Sequence, residues 1–227
     1  MPENEPPEVL HAIARELIDF INQQSGAYMD SLAGFSRNKT RVERQVHRIL
    51  RRHKGTLNQS GERVVTCTSY EDPTKPDIII NRITPADDYL RSNAPGGDNE
   101  QQVARSILIF IYTFWDLEIR PRLGVALNQN ESEIKSDVIG DLRLIRNAIL
   151  HNKGIMVPEK HRGLKILGDM VQSGTAIELT YDQMHRIFAL LKQDCARLFL
   201  NWTGALATAP FKPEEIKDFA VSTKPLI

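Results

Sequence analysis

The stretch ESEIKSDVIGDLRLIRNAILHN, residues 131 to 152, carries aliphatic side chains at a steady helical spacing. An aliphatic residue at every third or fourth position is the pattern of a helix with one buried face. Asn130 or Ser132 can cap the start of this helix, and Lys153 and Gly154 mark its end. The segment therefore predicts a core helix whose buried face holds Ile134, Val138, Leu142, Ile145 and Ile149.

The same spacing predicts further helices on both sides of this segment, at about residues 8–33, 36–53, 100–126 and 181–200. Gly34 is expected to separate the first two and Gly55 to end the second, because glycine weakens a helix and often closes it. Pro121 is expected to kink or end the third, and Thr180 to cap the last. Long helices without a run of strands predict an all-α bundle of four to five helices.

Residues 56 to 98 have a different character and are interpreted as an insertion in the bundle. The β-branched run Val64 to Thr68 and the run Ile78 to Ile80 flank a turn signal at Asp72-Pro73. This pattern predicts a small β-hairpin.

Length and the remaining patterns indicate one domain. A chain of 227 residues can bury one sizeable core. A short helix is expected between residues 155 and 175, and Ile177 to Leu179 can form one short strand. We expect a single helical domain over residues 1–200 and an irregular tail over residues 201–227, where prolines recur.

Composition excludes several classes of protein. The formal net charge is zero and hydrophobic residues make up 41% of the chain, so global charge predicts no polyanion partner. Cys67 and Cys195 lack metal-ligand spacing, which argues against a zinc site and a disulfide framework. The acidic start MPENEPPEV is unlike a signal peptide, and the apolar run Ile107 to Trp115 is short of the ~20 residues that span a bilayer. We expect a cytoplasmic protein without a membrane segment, metal or cofactor.

Most catalytic signatures are missing from the sequence, including Gly-rich phosphate loops, HExxH and GxSxG. What remains is Arg146-Asn147-x3-His151, at the end of the predicted core helix. A bare Arg-x4-His is weak, and Arg48 with His53 supplies a chance example. Requiring Asn directly after the Arg lowers the chance expectation to roughly 0.03, and only the first segment satisfies it.

This motif resembles that of the HEPN superfamily, an Arg with a polar neighbour followed a few residues later by a His. The preceding helix is also similar, since Tyr112, Trp115, Asp116 and Glu118 repeat an aromatic-then-acidic pattern found in many HEPN proteins. The resemblance covers roughly residues 100 to 200. It implies a HEPN-like bundle and a homodimer.

The resemblance also implies an activity, metal-independent cleavage of RNA. In that chemistry the ribose 2′-OH attacks the adjacent phosphate and leaves a 2′,3′-cyclic phosphate end. His151 would assist proton transfer, Arg146 would stabilise the charge of the transition state, and Asn147 would position a phosphate oxygen or His151. The family implies either the toxin of a toxin–antitoxin pair, with an antitoxin protein as partner, or a phage-defence effector.

Spacing alone does not bring the motif together. Asn147 and His151 share a helix face, but Arg146 lies about 140° round the helix from His151. A long Arg side chain, or a two-fold dimer with one shared cleft, can resolve this. Three alternatives stay open: a structural network that caps the helix, a HEPN dimer that binds RNA or a protein without cutting, and a purely structural helical adaptor.

The second candidate feature is a basic helix at residues 37 to 54, with eight Lys or Arg against one Glu. Its apolar stripe consists of Val42, Val46, Ile49 and Leu50. On the other side, steps of three and four residues form what we call the basic stripe: Arg37, Arg41, Arg44, Arg48 and Arg51. Such a stripe can follow an RNA backbone, or it can be a solvated face paired with acids elsewhere.

Overall fold

The computed structural model describes residues 7–52, 64–72 and 75–203. This part of the chain is mostly helical, which confirms the expected all-α class. The helices are α1 (Pro7–Arg52), α2 (Ala86–Ser92), α3 (Asp98–Phe114), α4 (Arg120–Leu127), α5 (Asp137–His151), α6 (Pro158–His161) and α7 (Tyr181–Thr203). Strands β1 (Val64–Asp72) and β2 (Lys75–Pro85) form the hairpin.

Helices α1, α3, α5 and α7 pack as an up-and-down bundle around one hydrophobic core. Phe20 of α1 stacks on Phe114 at the end of α3, whereas Tyr28, further along α1, donates a hydrogen bond to Glu100 at the start of α3. Helices α1 and α3 are therefore antiparallel. The apolar positions predicted for α5 are buried except Ile149, which is half-buried.

Helix α1 is one continuous helix of 46 residues, so the expected break at Gly34 is wrong. One glycine in a helix costs about 1 kcal/mol, and packing on both sides of it offsets that loss. Tyr28 before the glycine is 0% exposed and Val42 after it is 4% exposed. The predicted stop at Gly55 lies outside the described residues.

The hairpin confirms the β character predicted for residues 64 to 80. The antiparallel register runs from Val64 opposite Pro85 to Asp72 opposite Lys75, with irregularities after Cys67 and after Tyr70. Helix α2 follows directly and is absent from the sequence-based prediction. Its acidic first turn and the basic Arg91 near its end are signals that could have identified it.

Pro121 does not end the helical run, because a π-helical turn, Trp115–Ile119, joins α3 to α4. Proline has no N–H and cannot make the regular bond to the carbonyl four residues earlier. The wider turn lets the Arg120 N–H bond to the Trp115 carbonyl instead. Trp115 and Ile119 stay in the core, with 3% and 1% exposure.

Helix α5 begins six residues later than predicted. Asn130 does form a capping box, but it starts only a short 3-10 turn, Glu131–Glu133. Ser136 caps α5, since its Oγ accepts the N–H of Ile139 at 3.1 Å and donates to the buried carboxylate of Asp194 on α7.

The connection from α5 to α7 contains the short helix α6 but no strand at Ile177 to Leu179. A single bridge joins Ile155 and Ala176. The predicted strand is held by α3 side chains instead: Gln101 exchanges two hydrogen bonds with the backbone of Leu179, and Arg105 donates two to the Ile177 carbonyl. Helix α7 matches its prediction, including the Thr180 cap.

The C-terminal tail predicted from residue 201 lies mostly outside the described residues. None of the helices in the described part combines the length and hydropathy that a membrane span requires.

Candidate functional site

The motif residues lie on the solvent-facing side of α5. Leu142, Ile145 and Ala148 fill the core side of this helix and are 0% exposed. The opposite side is exposed or half-buried, and we call it the α5 face: Arg143, Arg146, Asn147, Leu150 and His151. A core helix that presents cations, an amide and an imidazole on one face has the groups needed to contact a phosphate.

Arg146 is held but not fully paired. Its Nη1 donates to Oδ1 of Asn147 at 3.1 Å, and its Cζ lies 5.8 Å from the ring centre of Tyr112 on α3. This distance is within the range of a cation–π contact. Its Nε is buried and has no hydrogen-bond partner among the described residues. Its Nη2 also has no hydrogen bond among the described residues but is not buried, so Nη2 is the donor that a ligand can reach.

A second cationic group lies around the same Tyr112 ring. Burial raises the pKa of the Tyr112 hydroxyl, and the charge of Asp116 raises it further, while Arg120 and Arg143 lower it. Asp116 and Arg120 are 2.7 Å apart. The contact joins Arg120 Nη2 to Asp116 Oδ1, and it is ionic without hydrogen-bond geometry, because Oδ1 is buried without a hydrogen-bond partner in the described part of the chain. Arg120 Nε is also buried without a partner there.

His151 does not take part in capping α5. The carbonyl of Ala148 accepts the N–H groups of Asn152 and Gly154, each at 3.0 Å, so the backbone closes the helix. Lys153 and Gly154 adopt the left-handed conformation that this closure uses. The His151 side chain is exposed and makes no hydrogen bond or ion pair with any described residue. These contacts do not favour the alternative of a structural capping network.

One chain alone does not assemble the motif into one site. Arg146 contacts Asn147 and Tyr112, and His151 contacts neither of them by hydrogen bond or ion pair among the described residues. Leu150 lies between them on the α5 face and is 48% exposed.

Three arginines near the motif were not singled out from the sequence. Arg143 precedes Arg146 by three residues, a spacing that places both on one helix face and could have identified it. Arg120 follows Asp116 by four residues in the same way. Arg105 lies close to the turn after α5, since a Cβ on Gly154 would be 3.8 Å from its Cζ. No local sequence signal predicts that contact.

All five arginines of the basic stripe are exposed. The described residues contain no ion pair to any of them, and the one pair on this stretch of α1 joins Lys39 and Glu43. Within the described ranges, these five arginines therefore have no acidic partner. The apolar stripe was predicted less well, since Val42 is buried but Ile49 and Leu50 are 46% and 43% exposed.

The C-terminal end of α5 lies toward the end of the bundle from which the basic stripe projects, whereas Arg146, beside Tyr112 near the end of α3, lies further from that end. Tyr28 marks the level of Glu100 at the start of α3, and Arg105, about one turn further on, lies beside Gly154 after α5. Helix α1 continues past that level. At 1.5 Å per residue, the basic stripe begins about 13 Å beyond Tyr28 and ends about 35 Å beyond it.

A large cavity, of about 1000 Å³, is a different site with the opposite charge. Its lining includes Glu100, Asp169 and Glu178 and contains no Lys, Arg or His. Glu100 is committed inside the protein, since its carboxylate accepts bonds from the Tyr28 hydroxyl at 2.9 Å and from the Gly96 N–H at 2.6 Å. An acidic groove repels phosphate, so we do not assign RNA to it.

Other chemistry finds little support in the described residues. No group of three His, Cys, Asp or Glu side chains there is placed to hold a metal ion. Cys195 is buried, and burial, followed by the charge of Asp194, raises its pKa to about 12. The thiol therefore stays protonated near neutral pH and is a poor nucleophile.

Comparisons found no protein-family model, no curated protein and no solved structure that matches the chain. The function of the α5 face is therefore inferred from its own residues and geometry.

Proposed function

We propose that this chain is a homodimeric, metal-independent endoribonuclease of the HEPN type, with its active site on the α5 face. The observation that carries the proposal is that Arg146 and His151 are both available for a ligand. Arg146 has an accessible Nη2 without a hydrogen bond, and His151 is exposed and unused by the helix cap. A bound phosphate would accept a charge-assisted hydrogen bond from this Nη2.

In the proposed reaction the RNA supplies its own nucleophile. The 2′-oxygen forms a bond to the adjacent phosphorus while the bond from phosphorus to the 5′-oxygen breaks. One His151 accepts the 2′-OH proton, and the leaving 5′-oxygen receives a proton from His151 of the second copy. The products end in a 2′,3′-cyclic phosphate and a 5′-hydroxyl.

Arg146 acts on the charge of the phosphorane. Its forked, permanent cation matches the equatorial oxygens, and Asn147 fixes one edge of the fork. A two-fold pairing of α5 faces across Leu150 would bring both copies of Arg146 and His151 into one cleft. This pairing overcomes the 140° separation on a single helix.

The experiment that tests the proposal is an RNA cleavage assay with purified protein in excess EDTA. We expect cleavage of single-stranded RNA with 2′,3′-cyclic phosphate ends, and no cleavage where the nucleotide at the cut site is 2′-deoxy. Cleavage that required a divalent ion, or that produced 3′-hydroxyl ends, would contradict the mechanism.

A second candidate is a dimer that binds RNA or a partner protein without cutting it. The exposed, unpaired basic stripe favours RNA binding independently of the motif. Salt-sensitive RNA binding without any cleavage would support this candidate over the ribonuclease. Cleavage of cellular RNA would in turn suit a cytoplasmic toxin or phage-defence effector, and an antitoxin protein would then be a partner.

A further inference from the structure

A second cavity, of about 380 Å³, lies beside Tyr112 at the N-terminal end of the α5 face, where Arg143 belongs to its lining. It is formed where the π-helical turn, the segment before α5, the first turns of α5 and the loop after α6 meet. Tyr112 and Trp115 belong to its lining and are 8% and 3% exposed. The charged residues of its lining are Arg120, Lys135, Asp137, Asp141, Arg143 and Lys165.

The acids of this cavity are already committed. Asp137 pairs with the Lys165 ammonium at 2.6 Å. Asp141 is 1% exposed, and its carboxylate accepts the consecutive backbone N–H groups of residues 165, 166 and 167 at 2.7 to 3.0 Å. Both carboxylates therefore hold the loop after α6 in place and are not available to a ligand.

The cations of the cavity are less fully committed. Arg143 and Lys135 are exposed and have no hydrogen bond or ion pair with any described residue. Arg120 has a charge contact with Asp116 but a buried Nε without a hydrogen-bond partner. Three cations with unused donors thus border one partly open cavity, an arrangement suited to an anion with several oxygens.

Arg143 connects this cavity to the motif. It is three residues before Arg146, so the two Cβ atoms are about 5–6 Å apart on one helix face. Arg143 belongs to the cavity lining, and Arg146 lies against the Tyr112 ring that also lines it. If an RNA strand binds with its reacting phosphate at Arg146, a neighbouring phosphate of the same strand would therefore lie at the cavity.

We propose that this cavity is a second phosphate subsite, which binds the RNA backbone next to the reacting phosphate through Arg143, Lys135 and Arg120. The inference rests on the proposed function, because it takes RNA as the ligand of the α5 face. The subsite holds the strand in position and contributes no group to the chemical step.

The test compares Arg143→Gln/Lys135→Gln with a matched control, Arg162→Gln/Lys160→Gln, which removes two exposed cations from the α6 region. Binding of a fluorescent single-stranded RNA is measured by anisotropy over a range of salt, in the His151→Ala background so that the RNA stays intact. The subsite variant should lower the log–log salt slope by about 0.7 units for each phosphate that it no longer neutralises, and the control should leave the slope unchanged.

Equal slopes for the subsite variant and the control, or no RNA binding by the parent protein, would overturn the subsite. A further arm distinguishes a site for free phosphate from a site for the RNA backbone: inorganic phosphate is added at constant ionic strength. If phosphate at concentrations comparable to the RNA abolishes the difference in slope between the subsite variant and the control, the cavity is a small-anion site instead. Failure of the proposed function has a different signature. A lower slope in the subsite variant, together with no RNA cleavage by the wild-type protein, would support the phosphate subsite and contradict the proposed ribonuclease activity.

Discussion

At the scale of single residues, Arg146 and His151 depend on different surroundings. Arg146 is oriented by Asn147 and by the Tyr112 ring, so its position requires two helices. His151 is placed by the end of α5 alone. A substitution at His151 should therefore leave folding intact, whereas one at Arg146 also removes packing against Tyr112.

His151→Ala should reduce RNA cleavage at least ~10²-fold, the usual loss when a general acid or base is removed. The measurement is the initial rate of cleavage, with circular dichroism to show that the variant is folded. His11→Ala is the matched control, since His11 is an exposed histidine on α1. Undiminished cleavage by His151→Ala would contradict the proposed mechanism.

Arg146→Ala should abolish cleavage, and Arg146→Lys should not restore it, because an ammonium lacks the planar fork that meets two phosphate oxygens. Cleavage rates and thermal melting are measured for both variants. Recovery of activity in Arg146→Lys would show that charge alone is sufficient. Melting far below wild type would instead assign Arg146 a structural role.

At the scale of secondary-structure elements, glycine positions show how packing decides the effect of a methyl group. Gly34→Ala should stabilise the protein by about 0.5–1 kcal/mol, because the site is helical and an added Cβ meets nothing within 4 Å. Gly97→Ala should destabilise the protein. Gly97 lies directly before α3, and an added Cβ there would collide with the carbonyl oxygens of Arg91 and Ser92 at the end of α2. Urea unfolding measures both, and effects of the same sign would contradict these contacts.

The basic stripe can be tested as one element. Arg41→Glu/Arg44→Glu/Arg48→Glu should weaken binding of single-stranded RNA and flatten its salt dependence, by about 0.7 units of log–log slope for each phosphate that the stripe no longer binds. Folding should survive, because all three side chains are exposed. A triple reversal at Lys153, Lys160 and Arg162 is the control. If affinity and slope matched the control, the stripe would be a solvated face.

At the scale of the whole molecule, the proposed cleft requires two copies of the chain. We expect a dimer by light scattering at tens of micromolar protein. Leu150→Asp should shift the molecule to a monomer and stop cleavage, because it places a charge at the centre of the proposed interface. Val125→Asp, at an apolar site on α4 that is 74% exposed, is the matched control. A wild-type monomer would count against the shared cleft.

The sequence by itself determined the helices with a clear apolar period and the position of the motif. The extent of α7, its Thr180 cap and most of the α5 core followed from spacing, because each helix must bury one stripe. Arg146, Asn147 and His151 followed from their order along one helix. These features are local, so a single stretch of chain contains the information.

Tertiary structure decided what depends on distant partners. Packing on both sides of Gly34, with Tyr28 buried before it and Val42 buried after it, keeps α1 continuous, and hydrogen bonds from Gln101 and Arg105 hold the segment that resembled a strand. The cavity near Tyr112 joins Arg120 to Arg143, which no local spacing connects. Apolar periodicity specifies which face of an element is buried, but it does not specify which distant element covers that face.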